Sequence, residues 1–365
     1  MMEAFESVHR LLQLGLEQGA YPSAAAAVGV GPELYFKRTY GACDAHTLFD
    51  LASVTKILST TMIALCYLEE GRLRLTDAVG DFFPEAPEDK RGITVEQLMT
   101  HTSGIGDHFY FSDYTDDPED AVKVILEHPL EQSPGGEPIY TCLGYILLGK
   151  ILEQLGGAGL DILAERVVFG PLGMKRTGYH PEGETAPTEL DPKTGRPTQG
   201  IVGDRNARFL GGIAGNAGVF SDLEDMIVFA KMLACGGRRP DGTAQLSAET
   251  LNAAIVNRTP DSGGELRGLG FQLAGSPDSF LGEMGKRAYG HTGHTGTCIA
   301  VDPDTGLWVV LLTNRVCPTR ANTKWFALRP MIHTAAARSI STLPDPPLMA
   351  PTAHRHPGCL SEEIF

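Results

Sequence analysis

Strand-like patterns lie at both ends of this 365-residue chain, and helical patterns fill the long stretch between them. Runs typical of strands occur near residues 24–30 and 33–39, and they return near residues 268–274 and 297–313. A regular alternation of strands with helices would indicate a parallel sheet, whereas strands confined to the two ends indicate one antiparallel sheet that both ends complete. The predicted fold class is therefore α+β: an antiparallel β-sheet flanked by helices, with an inserted, mainly helical domain.

The domain boundaries follow from the same pattern. We expect residues 1–70 and 234–340 to form the sheet domain and residues 71–233 to form the inserted helical domain. A hydrophobic content of 42% is enough to bury a large core in a chain of this length. Residues 341–365 are rich in proline, which predicts a flexible tail.

A serine and a lysine stand three positions apart in the run Phe49-Asp-Leu-Ala-Ser53-Val-Thr-Lys56. Residues three apart on a helix are neighbours, and a lysine amine kept neutral by burial can take the proton of a serine hydroxyl. The alternative is a serine at a helix start beside a solvated lysine. The surrounding residues are mostly apolar or small, which disfavours an exposed lysine, so the run predicts a serine nucleophile activated by Lys56.

Two further runs join this one to give a family resemblance. Ser53-x-x-Lys56, the segment Leu75-Thr-Asp77 and the segment His101-Thr-Ser-Gly104 together resemble the serine β-lactamase and penicillin-binding-protein superfamily. The resemblance is to its class C-like branch, which also contains esterases, D-aminopeptidases and transesterases, and it extends over nearly the whole chain. It implies an acyl-enzyme on Ser53 and a structural role for His101.

The resemblance also implies a catalytic tyrosine that relays the serine proton to the leaving group. Tyr140 fits this position in the run Ile-Tyr140-Thr-Cys142, whereas Tyr145 falls in the following helical run and is expected in the core. Cys142 stands where the family usually has an asparagine that hydrogen-bonds an amide of the substrate. A thiol is only a weak donor, so efficient lactam or peptide cleavage is less expected. Two roles stay open for Cys142: a thiol packed in the interior and a reactive thiol.

The third element of the resemblance is a strand that reads Tyr289-Gly-His291-Thr-Gly293-His294. His291 takes the place of a lysine found in many relatives, so it would polarise Tyr140 or donate to a substrate oxygen, with a charge that changes near pH 6.5. The oxyanion hole would be formed by the backbone N–H groups of Ser53 and His294, and Gly293 would let the strand approach the substrate. Positions three apart on a strand point to opposite faces, so we expect no metal at the two histidines.

Composition limits the partners and the compartment. A net charge of −15 argues against nucleic acid and anionic membrane surfaces. Seven cysteines without a Cys-x-x-Cys motif, together with an acidic, amphipathic start, favour a cytoplasmic protein. No cofactor is expected, and the oligomeric state stays open.

These patterns predict a serine hydrolase that acts through an acyl-enzyme on ester bonds of small molecules, with amide bonds as a second option. The alternative within enzymes is a β-lactamase or a D-amino-acid peptidase or transesterase. A catalytically silent relative that binds a ligand in the same cleft is the alternative from another class. Intact Ser53, Lys56 and Tyr140 favour an enzyme.

Overall fold

The computed structural model describes residues 2–106, 109–191, 193–260 and 264–342. Residues 343–365, which make up nearly all of the predicted tail, lie outside the described residues. The main element is a six-stranded sheet with the order β2-β1-β8-β7-β6-β5, in which every neighbouring pair is antiparallel. The predicted fold class is confirmed, because strands from both ends of the chain complete this sheet and helices flank it.

The sheet is built from β1 (Ser23–Val30), β2 (Glu33–Gly41), β5 (Gln272–Leu273), β6 (Tyr289–Thr292), β7 (Cys298–Val301) and β8 (Leu307–Thr313). A second, two-stranded sheet pairs β3 (Phe49–Asp50) with β4 (Phe220–Ser221). The helices are α1 (Glu6–Glu17), α2 (Met62–Glu69), α3 (Val79–Phe82), α4 (Glu88–Arg91), α5 (Val95–Met99), α6 (Ala121–Glu127), α7 (Leu143–Gly156), α8 (Leu160–Ala164), α9 (Gly170–Leu172), α10 (Arg205–Phe209), α11 (Leu223–Ala234), α12 (Ala248–Ala254) and α13 (Lys324–Ile340). Two wider, π-type helical segments, Lys56–Thr61 and Glu165–Phe169, lead into α2 and α9.

Strand β1 lies inside the sheet and is buried on both faces, which explains its sequence of small and β-branched residues. Successive side chains of a strand point to opposite faces. Ala25 and Ala27 therefore pack in one hydrophobic core, and Ala24 and Ala26 pack in the other. Helices α1 and α13 cover the second of these faces, while α11 covers the first.

Helix α11 contacts β1 and β8 directly, although all but its last residue falls within residues 71–233, the stretch predicted as the inserted domain. The boundary predicted at residue 233 therefore assigns to the inserted domain a helix that packs on the sheet. The division of the chain into two domains stays a prediction.

Among the residues that the structure describes, no helix is both long and apolar enough to cross a membrane.

Candidate active site

Ser53 lies in a tight turn that joins β3 to the helical segment Lys56–Thr61. The residue before it, Ala52, has a φ of +47°, in the left-handed region that is unfavourable for a residue with a side chain. The Ala52 N–H donates to Oδ1 of Asp50 at 2.8 Å, and the Lys56 N–H donates to the carbonyl oxygen of Ser53 at 3.0 Å. Ser53 therefore sits on the turn just before the helix, while Lys56 begins the helical segment one turn later.

The amine of Lys56 lies at the centre of the site. Lys56 is fully buried, and its Nζ is 3.1 Å from Oγ of Ser53 and 2.9 Å from the hydroxyl oxygen of Tyr140. It also lies 3.4 Å from Sγ of Cys142 and 3.4 Å from the carbonyl oxygen of Asn216. A buried amine is stable only with such partners, because burial removes it from water. The structure thus brings the predicted Ser53, Lys56, Tyr140 and Cys142 together.

The ring of Tyr140 is surrounded by groups that can carry positive charge. The ring centroid is 4.6 Å from that of His101, 6.0 Å from that of His291 and 5.2 Å from the guanidinium carbon of Arg267. Burial raises the pKa of Tyr140, and the nearby Lys56 opposes that rise. Arg267 was missed by sequence reasoning, because it comes from a segment more than a hundred residues after Tyr140 and lies in no recognised motif.

Tyr145 takes no part in these contacts with Ser53. Its hydroxyl group lies 3.1 Å from Oγ1 of Thr61 and 3.4 Å from the carbonyl oxygen of Met99, and its side chain is fully buried in the core. This location agrees with the expectation that Tyr145 is a core aromatic.

His101 holds the loop that precedes Tyr140. It adopts a left-handed conformation with φ of +60°, and its Nδ1 accepts a hydrogen bond of 3.2 Å from the N–H of Thr141. Burial, together with Arg267, holds the pKa of His101 well below its usual range, so the ring is neutral near pH 7. A neutral ring that accepts a backbone hydrogen bond fits a structural role.

His291 lies in β6 beside Tyr140 as expected, but its electrostatics differ from the prediction. Its Nδ1 donates to the carbonyl oxygen of Thr292 at 2.8 Å, so Nε2 is left as an acceptor. Burial first, and then Arg267 and Lys56, hold the pKa of His291 well below 6.5. The expectation that His291 changes charge near neutral pH is therefore wrong, because a buried imidazole beside the Arg267 guanidinium disfavours a second proton.

His294 lies beyond the end of β6, where its side chain is exposed and borders the cleft. Its Nδ1 is 3.3 Å from Nη2 of Arg315, and burial of part of the ring together with Arg315 lowers the pKa of His294 to about 4. Within the described part of the chain, the backbone N–H groups of Ser53 and His294 donate no hydrogen bond to protein. Both are therefore available for an oxyanion, as the sequence predicts.

Gly293 lies where the end of β6 meets the turn that carries Ser53. A Cβ atom at this position would lie 2.4 Å from the carbonyl oxygen of Leu51 and 2.2 Å from Oγ1 of Thr297. The glycine thus lets the end of β6 approach the turn that carries Ser53. Its predicted approach to the substrate stays a prediction.

A cleft of about 260 Å³ opens in front of Ser53, with Tyr140, Cys142 and His294 in its walls. Its other walls include residues from five separate segments: Asp50, Phe109, Tyr110, Glu189, Asp204 and Arg320. Arg320 forms an ion pair with Glu189 and donates to the carbonyl oxygen of Gly203. No sequence signal marks these residues as neighbours, since only the folded chain brings their segments together.

Comparison with known proteins decides the family. The sequence matches the β-lactamase family over residues 8–329, which is most of the chain. This protein belongs to the β-lactamase family. The match includes every predicted site residue, and it agrees with the resemblance carried by the three motifs.

Members and structural neighbours of the β-lactamase family have varied names. A relative from Escherichia coli (strain K12) is 28% identical over 366 residues, and the alignment covers 86% of this chain and 83% of the relative. Its provisional name is D-alanyl-D-alanine carboxypeptidase. A penicillin-binding protein homologue from Caulobacter crescentus superposes with a TM-score of 0.73 at 20% identity, covering 91% of this chain and 97% of that one. EstCE1, described as a hydrolase with promiscuous acyltransferase activity, superposes with a TM-score of 0.71 at 19% identity, covering 92% and 99%. The two structural neighbours show a shared fold.

Proposed function

We propose that this protein is a serine hydrolase that cleaves ester bonds of small molecules through an acyl-enzyme on Ser53. The observation that supports this most is the position of the Lys56 amine, which lies within hydrogen-bond distance of both Ser53 Oγ and the Tyr140 hydroxyl. An amine so placed takes the proton of Ser53 as the hydroxyl oxygen attacks a carbonyl carbon. Tyr140 then passes its hydroxyl proton to the leaving group and takes in its place the proton that Lys56 received from Ser53.

The developing oxyanion is held by the backbone N–H groups of Ser53 and His294 in this proposal. Donors that are fixed before the reaction stabilise the transition state without reorganisation. The turn at Ala52 and the close approach of Gly293 to Leu51 bring the two peptide segments together. Water entering the cleft then hydrolyses the acyl-enzyme and regenerates Ser53.

Two features favour esters over β-lactams and peptides. Cys142 replaces an amide donor, and a thiol donates only weakly to a substrate amide. His291 is neutral, so it offers no fixed positive charge to a substrate carboxylate. The cleft of about 260 Å³ is also smaller than the ~300–1,000 Å³ of sites for drug-sized ligands, which favours small acyl groups.

The alternative is a D-alanyl-D-alanine carboxypeptidase, the activity in the provisional name of the Escherichia coli relative. Such a substrate carries a free carboxylate that a cation would bind. Two arginines border the cleft: Arg320 forms an ion pair with Glu189, and the guanidinium of Arg205 stacks on the ring of Tyr110. Arg205 keeps the carboxypeptidase as the second candidate, whereas the neutral His291 and the weak donor Cys142 favour a neutral ester.

The test combines covalent labelling with a substrate panel. A fluorophosphonate probe should label the purified protein, and mass spectrometry should map the adduct to Ser53. Ser53→Ala should abolish labelling. Ser59→Ala should keep it, because Ser59, on the helical segment that begins at Lys56, is buried and its hydroxyl group is hydrogen-bonded to that of Tyr179. p-Nitrophenyl acetate should be cleaved with a higher kcat/KM than nitrocefin or a D-alanyl-D-alanine peptide. Absence of labelling would support a silent ligand-binding protein, and a preference for nitrocefin would establish the lactamase alternative.

A further inference from the structure

The carboxylate of Asp50 joins the segments that form the reactive end of the cleft. Asp50 is 2% exposed; its Oδ1 accepts the N–H of Ala52 at 2.8 Å, and its Oδ2 accepts the N–H of Gly203 at 2.7 Å. Its backbone carbonyl oxygen accepts a hydrogen bond of 2.7 Å from Oγ1 of Thr295, the residue after His294. One residue thus links the Ser53 turn, the segment before α10 and the turn after β6.

The bond to Ala52 acts on the least favourable part of this backbone. A left-handed φ at a non-glycine residue is unfavourable and persists only when its surroundings hold it. The peptide that follows Ala52 supplies the Ser53 N–H, one of the two donors in the proposed oxyanion hole. Any movement of the turn therefore displaces both the nucleophile and this donor.

We propose that Asp50 is a positioning residue, whose ionised carboxylate holds the Ser53 turn in its reactive geometry, so that protonation of Asp50 in mild acid slows acylation. The inference depends on the proposed hydrolase function. An ionised carboxylate accepts both N–H groups in strong, charge-assisted hydrogen bonds. A protonated carboxyl group must place a hydrogen on one oxygen, which weakens or breaks one of the two bonds.

The surroundings of Asp50 place this change in an accessible pH range. Burial raises the pKa of Asp50 to about 6, although the N–H groups of Gly203 and Ala52 oppose the rise. Asp204 raises the pKa further, and Arg208 on α10 lowers it.

Among the described residues, the other charged side chains that line the cleft are Arg205, Glu189 and Arg320, and the turn after β6 adds His294. Arg320 donates to the carbonyl oxygen of Gly203. His294, with a pKa of about 4, stays neutral through the range in which Asp50 changes charge. A change in activity near pH 6 is therefore not expected from this histidine.

The sign of the stability effect separates positioning from unfolding. The folded pKa of about 6 lies above the ordinary value of 3.8, so the contribution of Asp50 to stability is largest below pH 4 and declines as pH rises to 6. Protonating Asp50 therefore stabilises the fold while, by our proposal, it lowers activity. Acid unfolding would lower both together.

The experiment measures kcat and KM for p-nitrophenyl acetate from pH 4.5 to 8, with the melting temperature at each pH. We expect the wild-type kcat/KM to decrease as the pH falls below about 6, and we expect most of this decrease to be in kcat.

Asp50→Asn should lower kcat about tenfold at pH 7.5 and remove the fall near pH 6, because asparagine offers one acceptor oxygen and its NH₂ group opposes the other N–H. Asp225→Asn is the matched control and should keep the wild-type profile. Asp225 is also buried, and it accepts bonds from Arg176 and Thr177 outside the cleft.

Asp204→Asn gives a second, independent readout that does not require Asp50→Asn to fold. Removing the neighbouring negative charge should move the fall in kcat/KM to lower pH, and asparagine still caps α10 through the N–H of Ala207. The proposal is overturned if wild type shows no fall near pH 6, if Asp50→Asn retains it, or if Asp204→Asn does not move it. A Ser53→Ala variant that stays active would instead overturn the proposed function, so the two failures are distinguishable.

Discussion

Replacing Tyr140 and Tyr145 separately by phenylalanine should give opposite effects, because the two hydroxyl groups have different partners. The Tyr140 hydroxyl is 2.9 Å from the Lys56 amine, whereas the Tyr145 hydroxyl bonds Thr61 and a backbone carbonyl in the core. Tyr140→Phe should therefore lose rate with little loss of stability. Tyr145→Phe should lose stability with little loss of rate.

The magnitudes follow from the bonds that are lost. A hydrogen bond to a charged group is worth about 1.5–3 kcal/mol, which corresponds to roughly 10- to 150-fold in rate if it is made in the transition state. Proton transfer by a positioned side chain adds about 10²–10⁴-fold. We therefore expect kcat of Tyr140→Phe to fall at least about a hundredfold. Tyr145→Phe should lose about 1 kcal/mol of unfolding free energy and roughly 2 °C in Tm.

The assay is the initial rate of p-nitrophenyl acetate cleavage at pH 7.5, with thermal unfolding of each variant measured in the same buffer. Active-site titration with a fluorophosphonate would show whether the loss in Tyr140→Phe lies in acylation of Ser53. The reasoning fails if Tyr145→Phe loses as much kcat as Tyr140→Phe, or if Tyr140→Phe retains a wild-type rate.

Three further expectations can be checked with the same assay. Ser53→Ala should lose on the order of a thousandfold or more in kcat, because no other group forms the acyl-enzyme, and activity near that of Ser59→Ala would contradict this. Lys56→Ala should be almost as damaging, while Lys90→Ala, which removes a buried lysine paired with Asp89 and outside the cleft, should keep normal kcat. His291→Gln should leave the shape of the pH profile between pH 5.5 and 8 unchanged, because the wild-type ring is already neutral there; a lost limb would show that His291 titrates in that range.

The fold and the reacting side chains were predictable because each depends on a local pattern. Strand signals at the two ends sufficed for the antiparallel sheet, and the spacing of Ser53 and Lys56 placed an amine beside a hydroxyl. Local periodicity and short motifs carry this information without knowledge of tertiary contacts.

The electrostatics of the site could not be predicted in this way. An imidazole near its ordinary pKa is the natural expectation for His291, and only the fold shows that it is buried beside Arg267 and Lys56. The importance of Asp50 is hidden for the same reason. Its partner Gly203 is 153 positions away, and a carboxylate three residues before a serine carries no signal of its own.

The distribution of charge around Tyr140 also limits which groups can shape the pH dependence of the reaction. Arg267 and Lys56 both lie beside the ring. Burial lowers the pKa of His101 and of His291, and Arg267 and Lys56 lower both pKa values further. The imidazoles are thus kept neutral by burial first, and then by the positive charge of Arg267 beside them. An acid limb near pH 6 then belongs to a carboxyl group rather than to a histidine, and the buried carboxyl in contact with the Ser53 turn is that of Asp50.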